Sequence, residues 1–589
     1  MLLLIELCLT ALIVPLAFIV PGAGKHFFRA IEGRVSRFAA HRRLAVLTIF
    51  LFAVAARLAV LPVEPVSVPG IHDEFSYLLS ADTFAHGRLT NPPHPMWVHF
   101  ESMAIIQQPT YCSAFYPAQG MFLAAGQVLL GHPFWGVLLS SALMCAAICW
   151  ALQEWMPPGW AFLGGILAIM RLGTFNYWAN SYWGGAVAAL GGALALGALP
   201  RIKRHQRTRD AMLLAGGLAI LANSRPYEGL FYSLPIIIAL AIFVFGRNAP
   251  ANTLRNVLLP MSVTMALCFA FMSYYFWRAT GNPLRPPYLI DVATYMQEPQ
   301  FLWGKLRAAP AYHHAVMAQF YGGFHLQIFH HAHNQPLISA LRRFLNFWMF
   351  YVGSALTLPF FVLAGILPYG ISLRDLGSKT LFLVTLCGVT FFALLLPVPY
   401  LPHYAAPMTC VVIALFLRAM RRIRIWDRHG QRKGAFVVRA VVLNCIVIFL
   451  AVGFGLTVKI PRKNFFPFEM IRTNPARAQM IGNLRLRGGK HVIIVHYQPS
   501  HDGNDEWVYN NANIDGSDIV WAREMTPPED RELVAYFKNR QVWWLDADAI
   551  PPKLEKYAER SSARSPLSDN FISPLGLHSV AKIMLEPVS

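Results

Sequence analysis

Two adjacent carboxylates, Asp73 and Glu74, follow His72 in a polar stretch that also holds Tyr77, Asp82, His86 and Arg88. A carboxylate held beside a bound substrate can take a proton from a hydroxyl, which is the work of a general base. The same pair suits an ordinary helix start, where acidic side chains complement the dipole. Residue types alone leave both readings open. A second constellation is Asn223-Ser224-Arg225-Pro226-Tyr227-Glu228-Gly229, a very short turn between two apolar runs. So short a turn keeps Arg225 and Glu228 near membrane depth, where ionisable groups are costly and default to function. The planar fork of arginine suits phosphate, although an internal Arg225–Glu228 ion pair fixing the hairpin is the alternative. Arg171, at the end of its run before Gly173-Thr174-Phe175-Asn176-Tyr177-Trp178, is a weaker candidate of the same kind. Tyr177, Trp178, Tyr182 and Trp183 read more simply as an interfacial aromatic belt. The proline-rich turn 397–404 could present His403 and Tyr404 to the same pocket, or hold a hydrogen-bonded interfacial histidine.

The elements that must position these residues are membrane helices. Of 589 residues, 56% are hydrophobic and 14% charged, against the roughly 25% charged that soluble domains carry. Mean hydropathy is +0.43. Apolar runs at 43–62, 133–151, 257–277 and 435–457 each approach the roughly 20 residues that cross a bilayer as helix. Hydrocarbon offers no partner to an unpaired amide, so such runs are helical and a soluble protein is excluded. The net charge of +20 would fit nucleic acid were it spread over a binding face. Instead it collects in Lys25 to Arg43, Arg201 to Arg209 and Arg418 to Lys433, the pattern of basic inner loops facing anionic membrane lipids. Nucleic acid is therefore not expected as a partner. The eight cysteines form no CxxC pair; Cys145, Cys149, Cys268 and Cys387 fall inside apolar runs as small hydrophobes. The stretch 2–20 lacks a basic start and reads as a retained span.

Spans are expected near 2–20, 43–62, 133–151, 158–172, 181–199, 211–223, 228–245, 257–277, 345–367, 380–397, 404–418 and 435–457. Residues 117–131 are apolar but too short for an easy crossing. Laid in the interface as an amphipathic or re-entrant helix, they leave every basic loop inside. The outer face then receives the loops 63–132 and 278–344 and the tail. The expected fold is an all-α polytopic membrane domain of about 12 spans over 1–457, a linker at 458–485 and a small C-terminal α/β domain over 486–589 on the outer face. The α/β reading rests on the runs HVIIVHY (491–497), DIVWA (518–522) and QVWWLD (541–546), which alternate with a helical stretch and suggest a mostly parallel sheet. Histidines 313, 314, 325, 330, 331 and 333 invite a metal reading, but no HExxH or matching cysteine spacing supports it. No metal site or cofactor is expected, and a divalent cation is disfavoured. His501, Asp502, Asp505 and Glu506 are weighed the same way, as a polar loop after a strand. There is no Walker A loop, G-x-G-x-x-G after a strand or G-x-S-x-G, so nothing marks an ATPase, a dinucleotide enzyme or a serine hydrolase.

A span, then Asp-Glu opening a long outer loop, then an interfacial helix, resembles the GT-C superfamily of membrane glycosyltransferases. Within it the chain is similar to protein O-mannosyltransferases and lipid A aminoarabinose transferases. Asp73 to Pro92 (DEFSYLLSADTFAHGRLTNP) matches the family's opening pattern. The resemblance implies a multi-pass protein of the inner or plasma membrane that passes a sugar from a polyprenyl-phosphate donor to an acceptor at the outer leaflet. It carries the base role to Asp73, with Glu74 beside it. Relatives often have Lys-Pro-Pro before the interfacial helix; here the stretch reads Gln107-Gln108-Pro109 and later Phe115-Tyr116-Pro117. The donor-phosphate role therefore passes to Arg225, with Glu228, Arg171, Tyr116, His403 and Tyr404 as further substrate-binding candidates. The rival class is a transporter or flippase of lipid-linked sugars. Transporters commonly show internal repeats and charge near the bilayer midplane, whereas this chain gathers its charges at one face.

Overall fold

The structure is a computed structural model that describes residues 2–246, 252–366, 377–426, 433–454 and 473–557. The first part of the expected linker, the end of the 435–457 span and the tail beyond 557 lie outside the described residues.

The chain is an integral multi-pass membrane protein. Among the described residues six helices are long and apolar enough to cross a bilayer, and up to eight if two bent pairs each count as one span. The pairs are Lys25–Ala40 with Arg42–Ala59, bent by 107°, and Pro336–Tyr351 with Gly353–Gly365, bent by 104°. The expected spans near 2–20, 158–172, 211–223 and 380–397 are helices too, but shorter ones. The stretch 117–131 forms the helix Pro117–Leu130, about 21 Å long at 1.5 Å per residue, packed between His72–Ala85 and Phe134–Leu152.

Small residues set how closely these helices approach. A Cβ on Gly217 would lie 2.7 Å from the Gly191 carbonyl oxygen, and one on Gly192 would lie 2.0 Å from the Pro407 oxygen. Backbone therefore meets backbone where Ala186–His205 packs on Thr208–Ala222 and on the turn Pro402–Met408, as at small-residue interfaces in membranes. That packing fixes the ends from which Arg225 and Tyr404 project. Arg57, wholly buried in the helix Arg42–Ala59, donates to the carbonyls of Glu64 at 3.0 Å and Ala179 at 3.2 Å. It thereby anchors the chain leading into His72–Ala85 to the loop preceding Ala186–His205.

Beyond the helices, two short strands, β1 (Ile105–Ile106) and β2 (Cys112–Ser113), form an antiparallel ribbon. Ser76 locks onto it, with its hydroxyl 2.6 Å from the Ala104 oxygen and 2.6 Å from Ser113 Oγ. The C-terminal unit is a four-stranded sheet of β3 (His491–His496), β4 (Ile519–Arg523), β5 (Gln541–Asp546) and β6 (Lys553–Lys556), in the order β4-β3-β5-β6. The first three strands are parallel and β6 is antiparallel. Strand β3 is a continuous apolar run buried almost throughout, as a central parallel strand requires. The helix Pro475–Arg487, which falls in the expected linker, packs Leu484, Met480 and Ala476 on one face of this sheet and so belongs to the unit.

The sheet's other face shares one apolar cluster with Leu79, Phe100, Ile105 and Tyr111 of the first loop. A buried ion pair, Arg523 to Glu506 at 2.7 Å, stands at this seam, and Arg523 Nε also donates to the Glu101 carbonyl at 2.6 Å. The amide of Ala512 donates to Asp82 at 2.8 Å. The C-terminal unit and the Asp73 helix therefore lie on the same side of the helix bundle.

Candidate active site

Asp73 stands in the first turn of His72–Ala85, and Tyr77 follows one turn later on the same face. Arg225 is the residue before the helix Pro226–Val244, and Glu228 lies in that helix's first turn. The turn Pro402–Met408 brings in Tyr404 from a third direction. The Arg225 guanidinium carbon is 4.3 Å from the centre of the Tyr404 ring, a cation–π contact. Tyr77, Tyr404, Glu228 and Asp73 all act on Arg225 electrostatically, and Arg225 and Asp73 both act on Tyr77. The carboxylate, the guanidinium and two phenols thus share one site, with Asp73, Arg225 and Tyr404 each keeping partial exposure. Burial pushes the Tyr77 phenol up to about 12, so it remains a donor at neutral pH.

The two adjacent carboxyls have different surroundings. Glu74 is 1% exposed, and its carboxylate accepts the amides of Gly70 at 3.0 Å and Tyr182 at 3.1 Å. Burial raises it to about 7, against the backbone hydrogen bonds and with a smaller push from the charge of Asp73. A carboxylate occupied in this way positions a loop. Asp73 keeps a 20% accessible side chain whose Oδ1 is 3.3 Å from His72 Nε2, and its charge acts on Arg225 through space.

Other expected residues fall around this centre. No direct ion pair joins Arg225 to Glu228, which acts on it through space. The hairpin is therefore not fixed by that pair, and the guanidinium is held by Tyr404 instead. Tyr116 lies within reach of Glu228's charge. His403 is buried behind Arg225, with its Nδ1 2.8 Å from the Tyr177 hydroxyl and its ring edge-on to Trp183. Arg171 is placed elsewhere. Its Nε donates to the Phe350 carbonyl at 2.9 Å and another nitrogen to that of Met349, capping the end of Pro336–Tyr351 where the chain bends. Gly353, at φ 67°, lies against that guanidinium, and a Cβ there would meet it at 2.8 Å. Arg171 supports a bent helix pair and does not join the cluster.

The loop 278–344 adds residues that the sequence did not single out. The helix Pro287–Tyr295 carries Tyr288 and Asp291. Asp291 is 2% exposed, and burial raises its carboxyl to about 7, with Asp73 and Glu298 adding to the shift while His325 and Tyr321 oppose it. Tyr288 lies within range of Tyr404, Asp291 and Glu228. Glu298 bonds His325 Nδ1 at 3.0 Å. Of the other loop histidines, His313 and His314 both approach Glu101, at 2.8 and 3.6 Å, with His314 also on the Val98 carbonyl at 2.7 Å, while His331 lies beside Arg342 and His333 bonds the Leu302 carbonyl at 3.2 Å. In the C-terminal unit His501 bonds Asp548 at 2.7 Å. Among the described residues no three His, Cys, Asp or Glu side chains are grouped to hold a metal ion.

No family model and no curated protein matches the chain. It is similar to ArnT from Cupriavidus metallidurans in the apo state, at 12% identity and a TM-score of 0.47 over 88% of this chain and 93% of that one. The same enzyme bound to undecaprenyl phosphate gives 11% identity and 0.47 over 88% and 94%. The Archaeoglobus fulgidus oligosaccharyltransferase tethered with an acceptor peptide gives 12% identity and 0.43 over 85% of this chain and 69% of that one.

Proposed function

We propose that the chain is a membrane glycosyltransferase that moves a sugar from a polyprenyl-phosphate donor to an acceptor hydroxyl at the outer face of the membrane. The observation that carries this reading is the placement of Asp73 and Arg225, where a partly open carboxylate acts on a guanidinium stacked on Tyr404. Asp73 takes the proton of the acceptor hydroxyl as its oxygen bonds the anomeric carbon. The bond from that carbon to the lipid phosphate breaks from the opposite side, and the phosphate leaves with the electron pair. Arg225 offsets the charge that develops on it. Attack opposite the leaving group inverts the anomeric configuration. A lipid-phosphate sugar arrives already activated, which agrees with the missing nucleotide-binding motifs. His403 and Tyr177 hold the aromatic wall behind Arg225, and Tyr77, Tyr116 and Tyr288 offer hydroxyls and ring faces to the sugar.

The outer-face assignment rests on the basic loops lying at the opposite ends of the helices. Cysteines introduced at the exposed positions His86 and Asn511 should both react with an impermeant thiol reagent in intact cells. Reaction only after the membrane is opened would reverse the topology. For the activity itself, the purified protein in nanodiscs should release radiolabelled sugar from a synthetic polyprenyl-phosphate donor onto an added acceptor. Donor crossing the bilayer of proteoliposomes intact, with no transfer, would make the protein a transporter.

A further inference from the structure

A second cavity lies at the far ends of the same helices. The start of Arg42–Ala59, the end of Phe134–Leu152, the end of Ala186–His205 and the start of Thr208–Ala222 enclose about 380 Å³. The opposite ends of Ala186–His205 and Thr208–Ala222 adjoin the Asp73–Arg225 site, and a 20-residue helix is about 30 Å long. The cavity therefore belongs to the other membrane face.

Five arginines line it against two carboxylates, an excess of three positive charges with His205 neutral. Their arrangement is uneven. Glu154 is already engaged, by Arg42 at 2.9 Å and Arg204 at 2.8 Å, with Arg201 at 3.5 Å. Arg201 is also fixed from behind, donating to the carbonyls of Gly197 at 2.7 Å and Trp150 at 2.8 Å while lying 3.8 Å over the Trp150 ring. Together these make a rigid floor. Arg209 reaches Asp210 at 3.8 Å. Arg43 and Arg207 line the same space, exposed, with no side-chain hydrogen bond or ion pair to any described residue. Val46 and Trp150 give one wall an apolar surface.

We infer that this cavity binds a phosphate group, presented by the headgroup of an anionic phospholipid. Guanidinium forks match phosphate oxygens in pairs, and among the arginines lining the cavity Arg43 and Arg207 have no such partner among the described residues. The cavity lies where the helices end, at headgroup depth, and attraction of anionic headgroups to such arginines is strongest there. Val46 and Trp150 offer apolar surface beside the arginines, and the volume leaves room for more than a bare phosphate. None of these residues belongs to the Asp73–Arg225 site, so the inference stands apart from the sugar-transfer reading.

The test uses the full chain, purified in a neutral maltoside detergent, with three probes: phosphatidylglycerol, phosphatidylcholine and inorganic phosphate. Binding is followed by native mass spectrometry and by the shift in Tm. Wild type should retain phosphatidylglycerol over phosphatidylcholine, and R43Q/R207Q should weaken that binding by about tenfold or more, one charge-assisted contact being enough. R43K/R207K should recover part of it, because charge remains and the fork is lost. R285Q, on the other face, should behave as wild type. Inorganic phosphate bound without phosphatidylglycerol, and lost in R43Q/R207Q, would keep the phosphate site and assign it to a free anion. Equal phosphatidylglycerol binding by wild type and R43Q/R207Q, or binding of neither anionic probe, would overturn the inference.

Discussion

The carboxylate of Glu74 accepts the backbone amide of Tyr182 at 3.1 Å. It couples the start of the Asp73 helix to the loop that precedes Ala186–His205, so the acidic pair divides into one carboxyl that holds the loop and one that faces the site. Glu74→Gln keeps an oxygen acceptor for that amide, and transfer should fall by no more than about tenfold. Glu74→Ala leaves buried amides unpaired at about 1–3 kcal/mol each, which should appear as a lower Tm in a fluorescence melt. Glu74→Gln with the same activity loss as Asp73→Asn would make Glu74 a reacting group.

Asp291 gives a pH dependence. Its carboxyl has an ordinary value of 3.8 and is raised to about 7 by burial, with the charges of Asp73 and Glu298 adding. A carboxyl raised in the folded state favours folding fully below its unfolded value, and that contribution is lost as pH rises through the folded value. From about pH 4 to about pH 7 the Tm of wild type should therefore decline through this group, and Glu74 acts in the same direction. Asp291→Asn should remove part of that slope. An unchanged slope over this window would show that Asp291 is not the buried acid described.

The seam with the C-terminal unit depends on the pair of Arg523 and Glu506, whose side chains are 2% and 1% accessible. Removing one partner of a buried pair typically costs about 3–5 kcal/mol, because the other charge stays buried and uncompensated. Arg523→Ala should accordingly expose the 473–557 region to limited proteolysis, with the spans remaining protected. Glu506→Gln should do so less, since it can still accept hydrogen bonds from Arg523 and Ser102. Equal protease resistance in Arg523→Ala and wild type would contradict the seam.

The sequence singles out Asp73 as one of two adjacent carboxylates and Arg225 as an ionisable group in a short turn at membrane depth, and in the structure the charge of Asp73 acts on Arg225. Arg171 carried the same local signal, an arginine at the end of an apolar run. What separates it from Arg225 is the bend after Tyr351, which frees the carbonyls of Met349 and Phe350 to receive it, and a bend between two helices has no local pattern. Asp291 stayed hidden for a related reason. In PYLIDVATY it is one polar residue on a short amphipathic helix, and its burial comes from Tyr321 and neighbours far along the loop. The sheet was legible from HVIIVHY, a run long enough for a buried parallel strand. The helix Pro475–Arg487 had its signal in Ala476, Met480 and Leu484 at helical spacing, obscured by the arginines among them.

In the proposed reaction Asp73 serves the acceptor and Arg225 serves the donor phosphate, and one paired measurement separates these roles. Sugar transfer from a synthetic polyprenyl-phosphate sugar and affinity for that donor are measured in nanodiscs for wild type, Asp73→Asn, Arg225→Ala and Arg225→Lys. Asp73→Asn keeps shape and hydrogen bonding but cannot accept the proton, so turnover should fall about 10²–10⁴-fold with donor affinity nearly intact. Arg225→Ala should lose donor affinity as well as turnover, and Arg225→Lys should recover only part because the planar fork is gone. Undiminished transfer by Asp73→Asn, or donor affinity unchanged in Arg225→Ala, would overturn these two roles.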